Sequence, residues 1–227
     1  MKTIVSWSGG KDSAVLLHSL LNDPDYEVAG LFTTFSGDDQ EVNLHHVPFE
    51  FIRAQAESLG LPLFPVNISA GASNEEYEKA HQEVFEKLHH EKDIRYVAFG
   101  DIFLNEIRSY REKMVSKTSL QPVFPLWEME SHEIVKKFLE KKFQAYCVAA
   151  RSDLPGEQFA GRELNHSFFS NLPTTADQCG ENGEYHSFVF DGPDFSKKVN
   201  VKPGKPYLKD YNPVVDLQML VAPLVRN

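Results

Sequence analysis

Ser8-Gly9-Gly10-Lys11-Asp12-Ser13 gathers in one short string the groups that handle phosphate. Two adjacent glycines permit a tight turn whose backbone N–H groups approach anionic oxygens without interference from Cβ. A helix starting directly after them adds the positive end of its dipole. Lys11 supplies a point charge, and Ser8 and Ser13 supply hydroxyls. The Walker pattern, Gly-x4-Gly-Lys-Ser/Thr, is not met, because the residues between its glycines are missing here. In isolation the string also reads as a strand-to-helix turn with a solvated lysine and aspartate. Its position shifts the balance. The apolar run Thr3-Ile4-Val5-Ser6-Trp7 precedes it and Ala14-Val15-Leu16-Leu17 follows, and such a strand, loop and helix is where α/β folds place nucleotide phosphates.

A second polar cluster runs from Cys179 to Ser187 (CGENGEYHS) and enters the apolar Phe188-Val189-Phe190. Glycines around Glu181, followed by Glu184, describe a tight turn into a strand. A solvated hairpin loop has that composition. Carboxylates grouped there also serve to hold ammonium, orient a nucleophile or bind Mg²⁺, and the loop alone does not choose between these.

The elements that must position the two clusters alternate through the first half. Residues 27–35 read as a strand, 48–59 as a helix and 62–68 as a strand. Ser73 and Glu76 form a capping box before a helix with Tyr77, Ala80, Val84, Phe85 and Leu88 on one face. Residues 95–100 read as a strand and 104–117 as a helix. This alternation predicts right-handed βαβ units and a parallel sheet covered on both faces. Two prolines in residues 121–127 (QPVFPLW) mark a lobe boundary, after which Ser131 is expected to cap a helix burying Ile134, Val135, Phe138 and Leu139. Residues 144–150 read as a strand, and the remainder lacks clear βα alternation. The expected division is an ATP-binding domain over 1–127 and a substrate-binding lobe over 128–227.

The chain has 227 residues and a formal charge of −10, which argues against a general nucleic-acid surface. Cys147 and Cys179 have no metal or disulfide spacing, so reduced thiols are expected. Without a signal-like or membrane-spanning apolar run, a soluble cytoplasmic protein with no membrane partner is expected.

Together the two clusters resemble the PP-loop ATP pyrophosphatases (adenine nucleotide alpha hydrolases), in their diphthine–ammonia ligase-like branch. Residues 8–13 look like that superfamily's pyrophosphatase loop, and 179–187 resemble the branch's Cys-Gly-Glu-Gly-Gly-Glu-Tyr-Glu-Thr stretch. Supporting matches are Gly100-Asp101-Ile102, Arg108 with Glu112, Pro125-Leu126-Trp127 and Asp191-Gly192-Pro193-Asp194-Phe195. Asn182 and His186-Ser187 depart from the eukaryotic and archaeal pattern, so the chain resembles a bacterial-type offshoot whose acceptor need not be diphthine.

The resemblance implies a Rossmann-like, HUP-type α/β sheet with a smaller C-terminal α+β lobe, and an ATP-dependent, AMP-forming carboxylate–ammonia ligase using ATP and Mg²⁺. Attack of a carboxylate on the α-phosphorus releases pyrophosphate, and ammonia then displaces AMP. The implied nucleotide residues are Ser8, Gly9, Gly10, Lys11, Asp12, Ser13, Thr33, Thr34, His45, Gly100 and Asp101, with Asp12 also a Mg²⁺ ligand. Thr33 and Thr34 equally suit a polar strand end, and for His45 a surface position is the favoured reading over a nucleotide contact. Lys11, Arg108, Glu181 and Glu184 are the implied catalytic groups, although Arg108 and Glu112 one turn apart also fit an ordinary surface ion pair. The expected partners are a small-molecule or protein carboxylate and ammonium, with a homodimer as the default assembly. Two rivals share the loop: a tRNA-modifying ATP pyrophosphatase, disfavoured by the acidic charge and the cysteine spacing, and a non-catalytic adenine-nucleotide sensor.

Overall fold

The structure, a computed structural model, describes residues 1–37, 41–42, 47–152, 159–209 and 212–219. Strand β1 (Lys2–Ser6) leads through the glycine loop into helix α1 (Lys11–Leu21) and returns along β2 (Glu27–Ser36). Two short strands, β3 (Glu41–Val42) and β4 (Val47–Pro48), precede α2 (Phe49–Leu59), β5 (Leu63–Ile68) and α3 (Asn74–Lys92). β6 (Tyr96–Ala98), α4 (Asn105–Val115) and β7 (Gln121–Val123) complete the first half. β5, β2, β1, β6 and β7 lie side by side in that order and are all parallel, while β3 and β4 extend the edge of β2 antiparallel.

Alternation along the strands divides the apolar side chains between two faces. Ile4, Phe32 and Val97 pack with Phe85 and Leu88 of α3 and Met114 and Val115 of α4. Val5, Leu31 and Ala98 face the opposite layer, with Leu16, Leu17 and Leu20 of α1 and Phe51, Ile52 and Ala56 of α2. α3 starts at the expected capping box: Ser73 accepts from the Glu76 amide, and the Glu76 carboxylate accepts from the Ser73 amide at 2.8 Å.

The second half contributes α5 (Ser131–Glu140), β8 (Gln144–Ala150), α6 (His166–Ser170), β9 (Tyr185–Asp191), β10 (Val201–Pro203), β11 (Tyr207–Lys209), β12 (Asn212–Val214) and β13 (Leu217–Met219). An antiparallel sheet has the order β11-β12-β8-β9, and β10 pairs with β13. Phe188, Val189 and Phe190 of β9 join the same buried cluster as α1 and α2. Each such burial is worth about 1.5–3 kcal/mol, more than the net contribution of a single hydrogen bond, so apolar packing dominates the attachment of this sheet. The cap of α5 differs from expectation. Glu130 is the N-cap, and the Ser131 hydroxyl instead donates to Asp177 Oδ1 at 2.5 Å. Among the described residues no helix is long and apolar enough to cross a membrane.

Candidate active site

Strand order reverses at β1, with β2 on one side and β6 on the other, and the crevice beyond the carboxyl ends of such strands is where open parallel sheets bind ligands. A cavity of about 550 Å³ opens there. Ser8, Gly10, Lys11, Asp12 and Ser13 line it from the β1–α1 loop, and Gly100 and Asp101 line it beyond β6. The C-terminal sheet closes the far side with Gly180, Glu181, Tyr185, His186 and Ser187.

The first loop is built from several directions. Gly9 has φ +79°, and a Cβ there would lie 2.6 Å from Ile52 Cδ1, so this position requires glycine because α2 packs against it. Buried Gln55 holds the turn: its amide donates to Gly9 O at 3.0 Å and Val189 O at 2.6 Å, and its carbonyl accepts from Trp7 Nε1 at 2.9 Å. The Val189 amide also donates to Gly9 O at 2.8 Å. Two loop amides are engaged within the protein. Gly10 N–H donates to Ser8 Oγ at 3.3 Å, and Lys11 N–H donates to Ser187 Oγ at 3.0 Å. Those two amides therefore already have partners within the protein, while the amino end of α1 opens on the cavity with Asp12 and Ser13.

Lys11 is buried, and its ammonium pairs with Asp12 Oδ1. Burial opposes its charge, but Asp12, with Cys179 and Tyr185 when ionised, outweighs burial and raises the lysine well above its ordinary pKa. Burial pushes the Cys179 thiol up to about 12 and also raises Tyr185 and Cys147 well above their ordinary values, so at neutral pH Asp12 is the counter-ion.

The second loop separates its two glutamates. Glu181 lines the cavity. Burial, then the negative charges of Asp12, Asp101 and Asp177, push its carboxyl up to about 8 against the pull of Lys11. Glu184 is buried and turned inward, where it accepts from the Asp177 amide at 2.9 Å, the Asn182 amide at 3.0 Å and Asn182 Nδ2 at 3.2 Å. It does not line the cavity, and its lone pairs are used in shaping the loop; this corrects its expected place among the reacting groups. At Gly180, with φ +78°, a Cβ would lie 2.8 Å from Tyr185 O, so the turn requires glycine there.

Three other expected site residues, Thr33, Thr34 and Arg108, are absent from the cavity wall. Thr33 and Thr34 lie within β2, not at its end. The Thr33 hydroxyl donates to Trp7 O at 2.5 Å, and that of Thr34 meets His81 Nε2 at 2.8 Å. Arg108 is not among the residues lining the cavity; it pairs with Glu112 at 2.9 Å and lies over Trp127 and Phe124 at 4.6 and 4.9 Å. His45 lies outside the described residues.

The guanidinium that does reach the cavity is Arg111, which the sequence reading passes over. The signal was present: Leu104, the N-cap, with Ile107 and Arg111 recurs at i, i+3 and i+7 along the segment that follows Gly100-Asp101. Gln55 carried no such signal, since nothing in its local sequence marks its contacts with Gly9 and Val189.

Asp12, Asp101 and Glu181 bring three carboxyl groups to one cavity, and a carboxyl raised by burial and by neighbouring negative charge is the kind of site a cation relieves. Among the described residues no three His, Cys, Asp or Glu side chains converge to hold a metal alone. That donor set suits Mg²⁺ arriving with phosphate, which usually takes one or two carboxylates and completes its shell with phosphate oxygens and water.

Residues 1–122 match the model of the diphthamide synthase N-terminal domain, and residues 130–221 match that of the diphthamide synthase C-terminal domain. Among curated proteins, the diphthine–ammonia ligase of Rattus norvegicus is 24% identical over 223 residues, covering 88% of this chain and 83% of the rat protein. That of Homo sapiens is 25% identical over 171 residues, covering 69% of this chain and 62% of the human protein. That of Schizosaccharomyces pombe is 25% identical over 219 residues, covering 88% of this chain but 36% of the yeast protein. With both family models in order along the chain, the protein belongs to the diphthamide synthase family.

Proposed function

We propose that this protein is an ATP-dependent ligase that adenylates a carboxylate, releases pyrophosphate and transfers ammonia to the acyl group. The observation that carries the reading is the meeting of Lys11 and Asp12 with Glu181 across one cavity at the strand-order reversal. The diphthine–ammonia ligases to which the chain is similar give the reaction class its support.

In this reading residues 1–127 hold ATP and residues 128–227 serve the acceptor. The β- and γ-phosphates sit at the first turn of α1 with the hydroxyls of Ser8 and Ser13, and the Lys11 ammonium stabilises the charge that grows on departing pyrophosphate. Asp12 would hold Mg²⁺, which would supply neutralisation of phosphate charge. An acceptor carboxylate oxygen forms a bond to the α-phosphorus as the bond to the bridging oxygen breaks. Ammonia then adds to the acyl carbon and AMP leaves. Glu181, with a pKa near neutrality, takes the proton that ammonium must lose to become a nucleophile. Neither thiol fits sulfur transfer, because Cys147 and Cys179 are buried and hold their protons.

The test is incubation of the protein with ATP, Mg²⁺ and ammonium against a panel of small-molecule and protein carboxylates. AMP and pyrophosphate are expected only with a suitable acceptor, and the yield falls in Lys11→Ala and Glu181→Gln. Equal AMP with and without every acceptor contradicts the ligase reading.

A further inference from the structure

Asp101 and Arg111 form an unusual pair in the cavity wall. Arg111 Nε and Asp101 Oδ2 are 3.7 Å apart, and both atoms are buried without a hydrogen-bond partner among the described residues. The guanidinium is otherwise fixed in place. Its plane lies over Phe99 at 4.9 Å, and Nη1 reaches Tyr77 Oη only at 3.4 Å. A buried donor on a charged group left unused costs free energy that a ligand can recover, and a planar guanidinium is shaped for a carboxylate fork.

The surroundings indicate which anion. On the loop side the cavity is polar, with Ser8, Ser13 and the Lys11–Asp12 pair. Leu104, the N-cap of α4, and Ile107 in its first turn give the wall an apolar stretch on the element that carries Arg111, and Ala149, Ala150 and Val214 of the C-terminal sheet add apolar surface to the same cavity beside Arg151, His186 and Asn212. Phosphate has the amino end of α1 and the Lys11 ammonium; an organic acid with an apolar body matches a guanidinium carried on the same helix as Ile107. We infer that Arg111 docks the acceptor carboxylate through its Nε edge, with Asp101 as the positioning residue that holds the guanidinium toward the cavity. This rests on the ligase reading for the identity of the reacting group, but the binding claim can be tested separately.

The test uses the full chain with ¹⁵N-labelled arginine, the Arg111 Nε–H signal being assigned by its loss in Arg111→Lys. Acetate, succinate and glutamate are titrated as carboxylate probes into protein saturated with a non-hydrolysable ATP analogue and Mg²⁺; pyrophosphate and AMP are titrated into free protein. At least one carboxylate is expected to move the signal saturably, while pyrophosphate and AMP leave it in place. A signal that follows pyrophosphate or AMP instead, or one that stays fixed with every probe, overturns the inference. Where a carboxylate supports pyrophosphate release, Arg111→Met should raise its KM by about 10- to 100-fold, the cost of a lost charged hydrogen bond, and Arg111→Lys should raise it less. The KM for ATP should stay within about threefold, because it depends on the β1–α1 loop. An equal rise in both constants overturns the assignment. Failure of wild type to release pyrophosphate with any carboxylate contradicts the ligase reading, while the Nε–H titration decides separately whether Arg111 docks a carboxylate.

Discussion

The loop at residues 8–13 and the loop at residues 179–187 are both short, polar and glycine-punctuated, and both border the same cavity, yet they deploy charge differently. In the first, Lys11 and Asp12 pair with each other, and the turn is held from outside by Gln55, Val189 and Ser187. In the second, one carboxylate faces outward and the other supports the loop from within: Glu181 lines the cavity while Glu184 collects backbone N–H groups. A glycine turn needs an internal acceptor when no neighbouring element satisfies its amides, and a loop that supplies its own removes that carboxylate from chemistry. A polar residue beside a site is therefore assigned by the partners of its lone pairs, not by its motif.

The largest effect should come from Lys11. Lys11→Ala is expected to lower pyrophosphate release by about a hundredfold or more, the usual loss when a charge-stabilising donor is removed, and near-normal turnover would move the reacting phosphates away from this loop. Glu184→Ala should act on folding instead. Stranding the Asp177 and Asn182 amides is expected to cost about 2–4 kcal/mol, lowering Tm by roughly 5–10 °C for a chain of this size. Thermal unfolding checks this, and an unchanged Tm with lost turnover would return Glu184 to the reacting groups.

Glu181 should show the opposite sign. Its carboxyl titrates near 8 in the folded protein, above its ordinary value, because burial and the facing Asp12, Asp101 and Asp177 outweigh Lys11. Between those two pKa values the folded state holds a proton that the unfolded state has released, so this group's contribution to stability falls as pH rises from about 4.5 to about 8. Glu181→Gln should flatten that portion of the Tm–pH profile and be at least as stable as wild type at pH 8.5. A steeper profile in the variant would show that the carboxylate is stabilised by a partner. The smallest effect is expected at Arg108, whose exposed ion pair and ring stacking are together worth about 1 kcal/mol or less. Arg108→Ala should leave turnover unchanged, and a large loss in KM or kcat would overturn the placement of this guanidinium outside the cavity.

The parallel sheet, the capping box at Ser73 and the phosphate loop were legible because each is written in local pattern: apolar runs, a capping pair, glycines between strand and helix. The inward turn of Glu184 was not legible, since a carboxylate serving its own loop and one serving a ligand share the same spacing. Arg108 and Arg111 lie on one helix, and the i, i+4 match to Glu112 drew attention to Arg108. The i, i+3 and i+7 spacing of Leu104, Ile107 and Arg111 was the better guide. Gln55 and Ser187 act through residues distant in sequence, so only the packing of α2 and β9 on the loop discloses them.

The most direct test of the central claim is a crystal structure of the protein with a non-hydrolysable ATP analogue and Mg²⁺. The β- and γ-phosphates are expected at the amino end of α1, within hydrogen-bond reach of Ser13 and the Lys11 ammonium, with Glu181 across the cavity. Phosphates bound anywhere else, with residues 8–13 facing solvent, would contradict it.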